Sequence, residues 1–155
     1  MLAWISVLLR RLLSNSAYTP QPANIAYSYQ AFEDLLQIRY SSDLFRMPTF
    51  TEIQQNLTSL NTGQSQTPGL IVMKLDANGH DYGQYKHYKH IVVVFNATNS
   101  QSTFTDGRLQ GLKLKLHPVQ KSSSDPTTRQ STYASKAGTV TVPALTTAVF
   151  VTQQE

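Results

Sequence analysis

The sequence predicts a mainly β fold, an antiparallel β-sandwich preceded by one or two α-helices. Short runs of β-branched and apolar residues, separated by turn residues, fill the chain from about residue 70 onward. Helical periodicity is confined to the front of the chain, so no helices alternate with the strands as a parallel sheet would require. The composition agrees: 40% of the 155 residues are hydrophobic and 14% charged, enough for one core and too apolar for a disordered chain.

The elements follow in order. Residues Ala3 to Leu13 read as an apolar helical piece, and Pro20 and Pro22 separate it from a second helix over Asn24 to Tyr40. In that second helix Ile25, Tyr29, Phe32, Leu35, Leu36 and Ile38 recur at three- and four-residue steps, which predicts one buried stripe with Asn24 as N-cap. Ser41-Ser42-Asp43 ends it. Thr49 and Glu52 stand at capping-box spacing, so a short helical turn follows Pro48 and gives way to an extended segment near Gln54 to Leu60. Division into 1–45, helical, and 46–155, sandwich, follows from this change of period.

The strands come next. Leu70 to Leu75 is apolar and β-branched, with Asp76-Ala77-Asn78-Gly79 as turn chemistry. Ile91 to Phe95 is a continuous apolar run too short for a helix, which predicts a central strand covered on both faces. Leu112, Leu114 and Leu116 alternate with Lys113 and Lys115, the pattern of a half-buried strand. Thr139 to Val142 and Thr147 to Val151 complete the set, with a polar loop from Lys121 to Ser135 holding one short strand at Thr132-Tyr133.

Charge and targeting signals exclude several classes. The net charge is +4, but Lys and Arg are scattered singly apart from Arg10-Arg11, so no basic stripe marks a nucleic-acid surface. The apolar start, Met1 to Leu9, precedes its arginines and has no small-residue cleavage site, unlike a signal peptide. It is also far shorter than the ~20 residues that span a bilayer, so no membrane partner is expected. With no cysteine, thiolate metal sites and thiol nucleophiles are absent.

Candidate chemistry is sparse. Glycoside hydrolysis needs two facing carboxyl groups about 5 to 10 Å apart. The nine acids read as helix-surface, helix-end, turn or terminal residues, so no catalytic residues are assigned. His80, His87 and His90 do not match the helical pair spacing of metallohydrolases. No metal site or cofactor is therefore expected, a loop-borne site including Asp81 being the alternative. The same loop carries Tyr82, Tyr85 and Tyr88, whose rings could stack on sugars or cap the core. No Gly-x-Ser-x-Gly elbow or phosphate-binding glycine loop is present.

Several ordered stretches resemble the C-terminal region of pullulanases and limit dextrinases, debranching members of the α-amylase superfamily. They are Phe32 to Arg46, Asn61-Thr62-Gly63 with Pro68 to Met73, Ile91 to Thr98, Leu116 to Gln120, and Val142-Pro143-Ala144 with Thr146 to Val151. The resemblance implies a C-terminal sandwich of the α-amylase type, with residues 1–45 as the end of a catalytic barrel. It also implies hydrolysis of α-1,6 links in pullulan, amylopectin and limit dextrins by a barrel whose carboxylates this chain does not contain. The chain alone is then expected to be inactive, with that barrel as its partner and support as its role; an α-glucan is the partner in the alternative reading as a carbohydrate-binding module. Relatives are exported in bacteria and plastidic in plants, which leaves the compartment open. Two positions depart from the family pattern: Leu145 stands where an Arg is usual, and the Tyr/His loop replaces a more acidic connection. A barrel helix without its barrel would expose Trp4, Ile5, Leu8, Leu9 and Leu12, so residues 1–22 are expected to be weakly anchored or self-associating.

Overall fold

The computed structural model describes residues 2–78 and 88–153, the side chains of residues 2–4 and 153 excepted. Helix α1 (Leu2–Leu13) and helix α2 (Pro22–Tyr40) open the chain, joined by a segment with a 3-10 turn at Ser16–Tyr18. Pro22 sits in the first turn of α2, after an N-cap at Gln21 rather than Asn24. Proline loses nothing there, because the first N–H groups of a helix have no partner anyway. A 3-10 turn at Asp43–Arg46 follows, started by the Ser42 hydroxyl accepting from Leu44 N–H. Helix α3 (Phe50–Asn56) carries the predicted capping box: Glu52 N–H donates to Thr49 Oγ1 at 3.2 Å, and Thr49 N–H donates to Glu52 Oε2 at 3.0 Å.

The strands are β1 (Leu57–Ser59), β2 (Leu70–Asp76), β3 (Tyr88–Asn96), β4 (Ser102–Thr105), β5 (Lys115–Leu116), β6 (Thr132–Ala134), β7 (Thr139–Val142) and β8 (Thr146–Gln153), with helix α4 (Pro118–Ser122) after β5. Two antiparallel sheets result, one in the order β1-β2-β3-β8-β5 and one in the order β4-β7-β6.

Alternation along β3 and β8 explains the layers. Val92, Val94, Ala148 and Phe150 turn toward the small sheet, where Val140, Val142 and Leu109 complete one core. Their neighbours Ile91, Val93, Val149 and Val151 turn the other way and pack with Ile38, Leu44 and Val119. The large sheet is thus covered on both faces, by the small sheet on one and by helical elements on the other. That double cover is why Ile91 to Phe95 reads as an unbroken apolar run.

Two expectations need correction. Ile25, Tyr29, Phe32 and Leu36 of the predicted buried stripe are 59, 62, 59 and 38% exposed, while Ile38 is buried. Between Leu112 and Leu116 only Lys115 and Leu116 join a ladder, against Val151 and Phe150. The Leu112 carbonyl is taken instead by the Tyr133 and Ser135 hydroxyls at 2.9 and 2.7 Å, although Leu114 is buried and the two lysines are exposed as alternation requires. Strand β4 was not anticipated, because its outward Thr103 and Thr105 give little apolar signal.

Candidate docking surface

Helix α2 has two apolar faces. At 3.6 residues per turn, Tyr27, Ala31, Asp34, Leu35 and Ile38 fall on one side. These residues line a shallow groove against Gln120, Ser123, Thr128 and Thr147 of the sandwich. On the opposite side Ile25, Tyr29, Phe32, Leu36 and Tyr40 follow each other at steps of four, three, four and four residues. That ridge faces away from the sandwich, its members 38 to 62% exposed, with the Arg46 guanidinium over the Tyr40 ring at 5.0 Å. An amphipathic surface helix needs only one such stripe; two opposed stripes are the pattern of a helix held between two bodies. Helix α1 adds Ile5, Leu8, Leu9 and Leu12 on one side, at exposures of 44 to 59%. Every described side chain of α1 is exposed. Nine large apolar side chains of the two helices thus stand 38 to 62% exposed, and clusters of that kind mark interaction sites.

The inner face of α2 is locked to the sandwich by polar contacts. Ser123 donates its hydroxyl hydrogen to Asp34 Oδ2 at 2.7 Å, and Gln30 Nε2 reaches Asp34 Oδ1 at 3.2 Å. Burial, then the neighbouring Asp125 carboxylate, raises the Tyr27 hydroxyl above its ordinary pKa. At the C-terminal end sits His117, the N-cap of α4 and 2% exposed. Its Nδ1 accepts from Val119 N–H at 3.2 Å, which assigns the ring proton to Nε2. Nε2 lies 3.0 Å from Ser41 Oγ and 3.3 Å from the Tyr88 hydroxyl, and Ser41 donates to the Ile38 carbonyl at 2.7 Å.

A serine beside a histidine invites a catalytic reading, but this pair is not built for it. Ser41 spends its proton on a carbonyl, and no carboxylate orients the ring. Burial pushes the imidazole pKa down to about 4, so it is a poor base near neutrality. The triangle of Ser41, Tyr88 and His117 fastens helix to sheet.

The other sequence-predicted residues are placed as follows. Tyr82 and Tyr85 lie outside the described residues, as do His80, Asp81 and His87. Tyr88 begins β3 and is 8% exposed, its ring edge-on to His117 at 5.5 Å between centroids, so its face serves the core. His90 Nδ1 lies 2.6 Å from Asp76 Oδ1, and Lys74 Nζ holds both oxygens at 2.6 and 2.7 Å. Burial would raise the Asp76 carboxyl, but these two donors outweigh it and hold the pKa below the usual carboxylate range. No group of three or more metal-ligating side chains occurs among the described residues.

The described carboxylates hold local partners. Glu33 accepts from the Tyr29 hydroxyl, Asp43 pairs with Arg46, Asp106 with Arg108, and Asp125 caps Thr127 and Thr128. Sequence reasoning missed His117 and misjudged the outward ridge. The signal for the ridge was its offset from Leu35 and Ile38, which fall on the other side of the same helix. No described helix is long and apolar enough to cross a membrane.

Comparison with known proteins converges on one family. The profile described as "Alpha-1,6-glucosidases, pullulanase-type, C-terminal" matches residues 5–153. The chain is 42% identical over 149 residues to "Pullulanase 1, chloroplastic" of Arabidopsis thaliana, covering 93% of this chain and 15% of that protein. It is 28% identical over 133 residues to a pullulanase of Klebsiella pneumoniae, 84% of this chain and 12% of that one. The crystal structure of the maltotriose complex of PulA from Klebsiella pneumoniae superposes with a TM-score of 0.77 at 28% identity, covering 88% of this chain and 15% of that one.

Proposed function

The chain belongs to the C-terminal family of pullulanase-type α-1,6-glucosidases, and from that premise we propose that it is a non-catalytic module that supports the catalytic region of a starch-debranching enzyme. In this reading residues 1–45 are the closing part of the catalytic barrel and residues 46–155 the sandwich that braces it. The parent reaction is hydrolysis of α-1,6 links in pullulan, amylopectin and limit dextrins, carried out by residues outside this chain.

The observation that carries the reading is the second apolar face of α2. One stripe is bonded to the sandwich, and the opposite one, Ile25 to Tyr40, is exposed and spaced for helix packing. The chain spans only about 15% of the Arabidopsis relative, so most of that protein lies outside the matched region and is the candidate body for this face.

Co-expression tests it. The chain, expressed with the Arabidopsis relative lacking its 149 matched residues, is expected to co-purify with it and restore pullulan cleavage. Phe32→Glu is expected to abolish both. Failure to co-purify, or pullulan cleavage by the chain alone, overturns the reading.

A second reading, α-glucan binding by the chain itself, draws on the maltotriose complex of the Klebsiella relative and on the rings of Tyr82 and Tyr85. Calorimetry with maltotriose on the isolated chain, where no heat is the adverse result, decides it.

A further inference from the structure

We propose that the same surface, when the catalytic region is absent, is covered by a second copy of this chain: α1 of each copy lies along the outward ridge of the other copy's α2. The proposal rests on the docking reading above, since it takes that ridge to be built for burial against helical partners.

Area is the first argument. Ile5, Leu8, Leu9 and Leu12 of α1 and Ile25, Tyr29, Phe32, Leu36 and Tyr40 of α2 stand 38 to 62% exposed. Taking roughly 150–250 Å² as the upper range for a large side chain, nine of them at about half exposure offer on the order of 700–1,100 Å² per copy. A standard protein interface takes about 800 Å² from each partner.

Geometry supplies the occupant. The chain's own α1 leaves the α2 ridge open, and the connecting residues 14–21 are exposed throughout. Both stripes run at three- and four-residue steps, the ridges that interlock when helices pack. A pair of α1-on-α2 contacts related by a two-fold axis closes on itself, which limits the assembly to two copies.

Charge orients the pair. Helix α1 carries Arg10 and Arg11 and no acid, with Arg11 on one flank of its apolar stripe. Helix α2 carries Glu33 on one flank of its ridge and Arg39 on the other. Only one direction of α1 across α2 brings Arg11 to Glu33 and away from Arg39. A second copy and the catalytic region would then compete for one surface, which masks the ridge until the larger partner is present.

Sedimentation velocity on the 155-residue chain between ~1 and ~100 µM tests this. The expected result is a dimer, twice the 17.3 kDa chain mass, that becomes monomeric with Leu8→Glu and, separately, with Phe32→Glu. Arg11→Glu or Glu33→Arg alone is expected to weaken association several-fold, and the two together to restore it. Circular dichroism confirms that each variant stays folded. A monomer at the highest concentration, or a dimer that survives Phe32→Glu, overturns the proposal. So does co-sedimentation of the monomer with phosphatidylglycerol vesicles that Leu8→Glu abolishes, because lipid is then the occupant. A dimer that never yields to the catalytic region in co-expression leaves this proposal standing and sinks the docking function instead.

Discussion

The sandwich and the helical front of this chain obey the same rules of amphipathicity but end in opposite states. In the sandwich, β3 and β8 bury alternating residues on both faces, and their core members are at most 8% exposed. In α2 the apolar residues are also arranged on two faces, yet only the inner one meets the sandwich, through the buried Ile38, while Tyr27 and Leu35 beside it stay 51 and 48% exposed. Under the docking proposal, the strands pack within this chain and the outward ridge against a body outside it. The polar seam of Asp34, Ser41 and His117 is where the two regimes meet.

The contrast breaks if a ridge residue proves as costly to remove as a core residue. Phe150→Ala in β8 should cost about 3–5 kcal/mol, because its ring is 1% exposed between the sheets. Phe32→Ala on the ridge should change the monomer by less than about 0.5 kcal/mol. Urea unfolding at concentrations low enough to hold the chain monomeric gives both numbers. Equal costs would mean that α2 is buried in a way the exposed ridge denies.

The seam should show itself in pH dependence. His117 titrates at about 4 in the folded chain because burial disfavours its charged form, against an ordinary value of 6.5. As pH falls below about 6.5 the unfolded chain takes up a proton that the folded chain refuses. Stability is therefore present above that value, declines between about 6.5 and 4, and levels off below. The total loss is about 3 kcal/mol at ~1.36 kcal/mol per pH unit. His117→Gln should flatten this slope at the expense of stability at pH 7. An unchanged slope would remove His117 from the seam.

Ser41→Ala is a finer cut at the same place. It deletes the oxygen that accepts from His117 Nε2 and leaves that buried N–H with only the longer contact to Tyr88. The expected cost is about 1–2 kcal/mol. Hydrogen exchange should quicken at the C-terminal end of α2 while β3 and β8 stay protected. Uniform quickening would mean that helix and sandwich unfold as one unit.

How much was legible in the sequence follows the same division. Strands β2, β3, β7 and β8 were readable because one short apolar run carries both the secondary structure and the burial. The Thr49–Glu52 box was readable because the bond is local. The α2 stripe was half readable: a 3.6-residue period announces a helix, but Ile25 and Leu35 were merged into one face although they lie on different sides. His117 was invisible because nothing in Leu116-His117-Pro118 tells that Ser41 and Tyr88 will close on it from 76 and 29 residues away. Tyr88 was read with Tyr82 and Tyr85 for the same reason, since ring burial is set by a distant partner.

Leu145 tests the division from the sandwich side. It holds φ +50°, the left-handed region that costs a leucine roughly 1–2 kcal/mol, and its side chain is 70% exposed at the lip of the groove that α2 forms with the sandwich. Its N–H donates to the Thr98 carbonyl at 3.0 Å, so the turn is held by backbone and does not need the leucine. Leu145→Asn, which tolerates that backbone, should therefore stabilise the isolated chain by about 0.5–1 kcal/mol, measured as a rise in Tm. Glycine should gain less, since it also frees the unfolded chain. A gain would set Leu145 beside Phe32 as an apolar residue retained for a surface outside this chain. A loss of similar size would mean that Leu145 holds the groove against Leu35, and that the sandwich secures α2 with more than its polar seam.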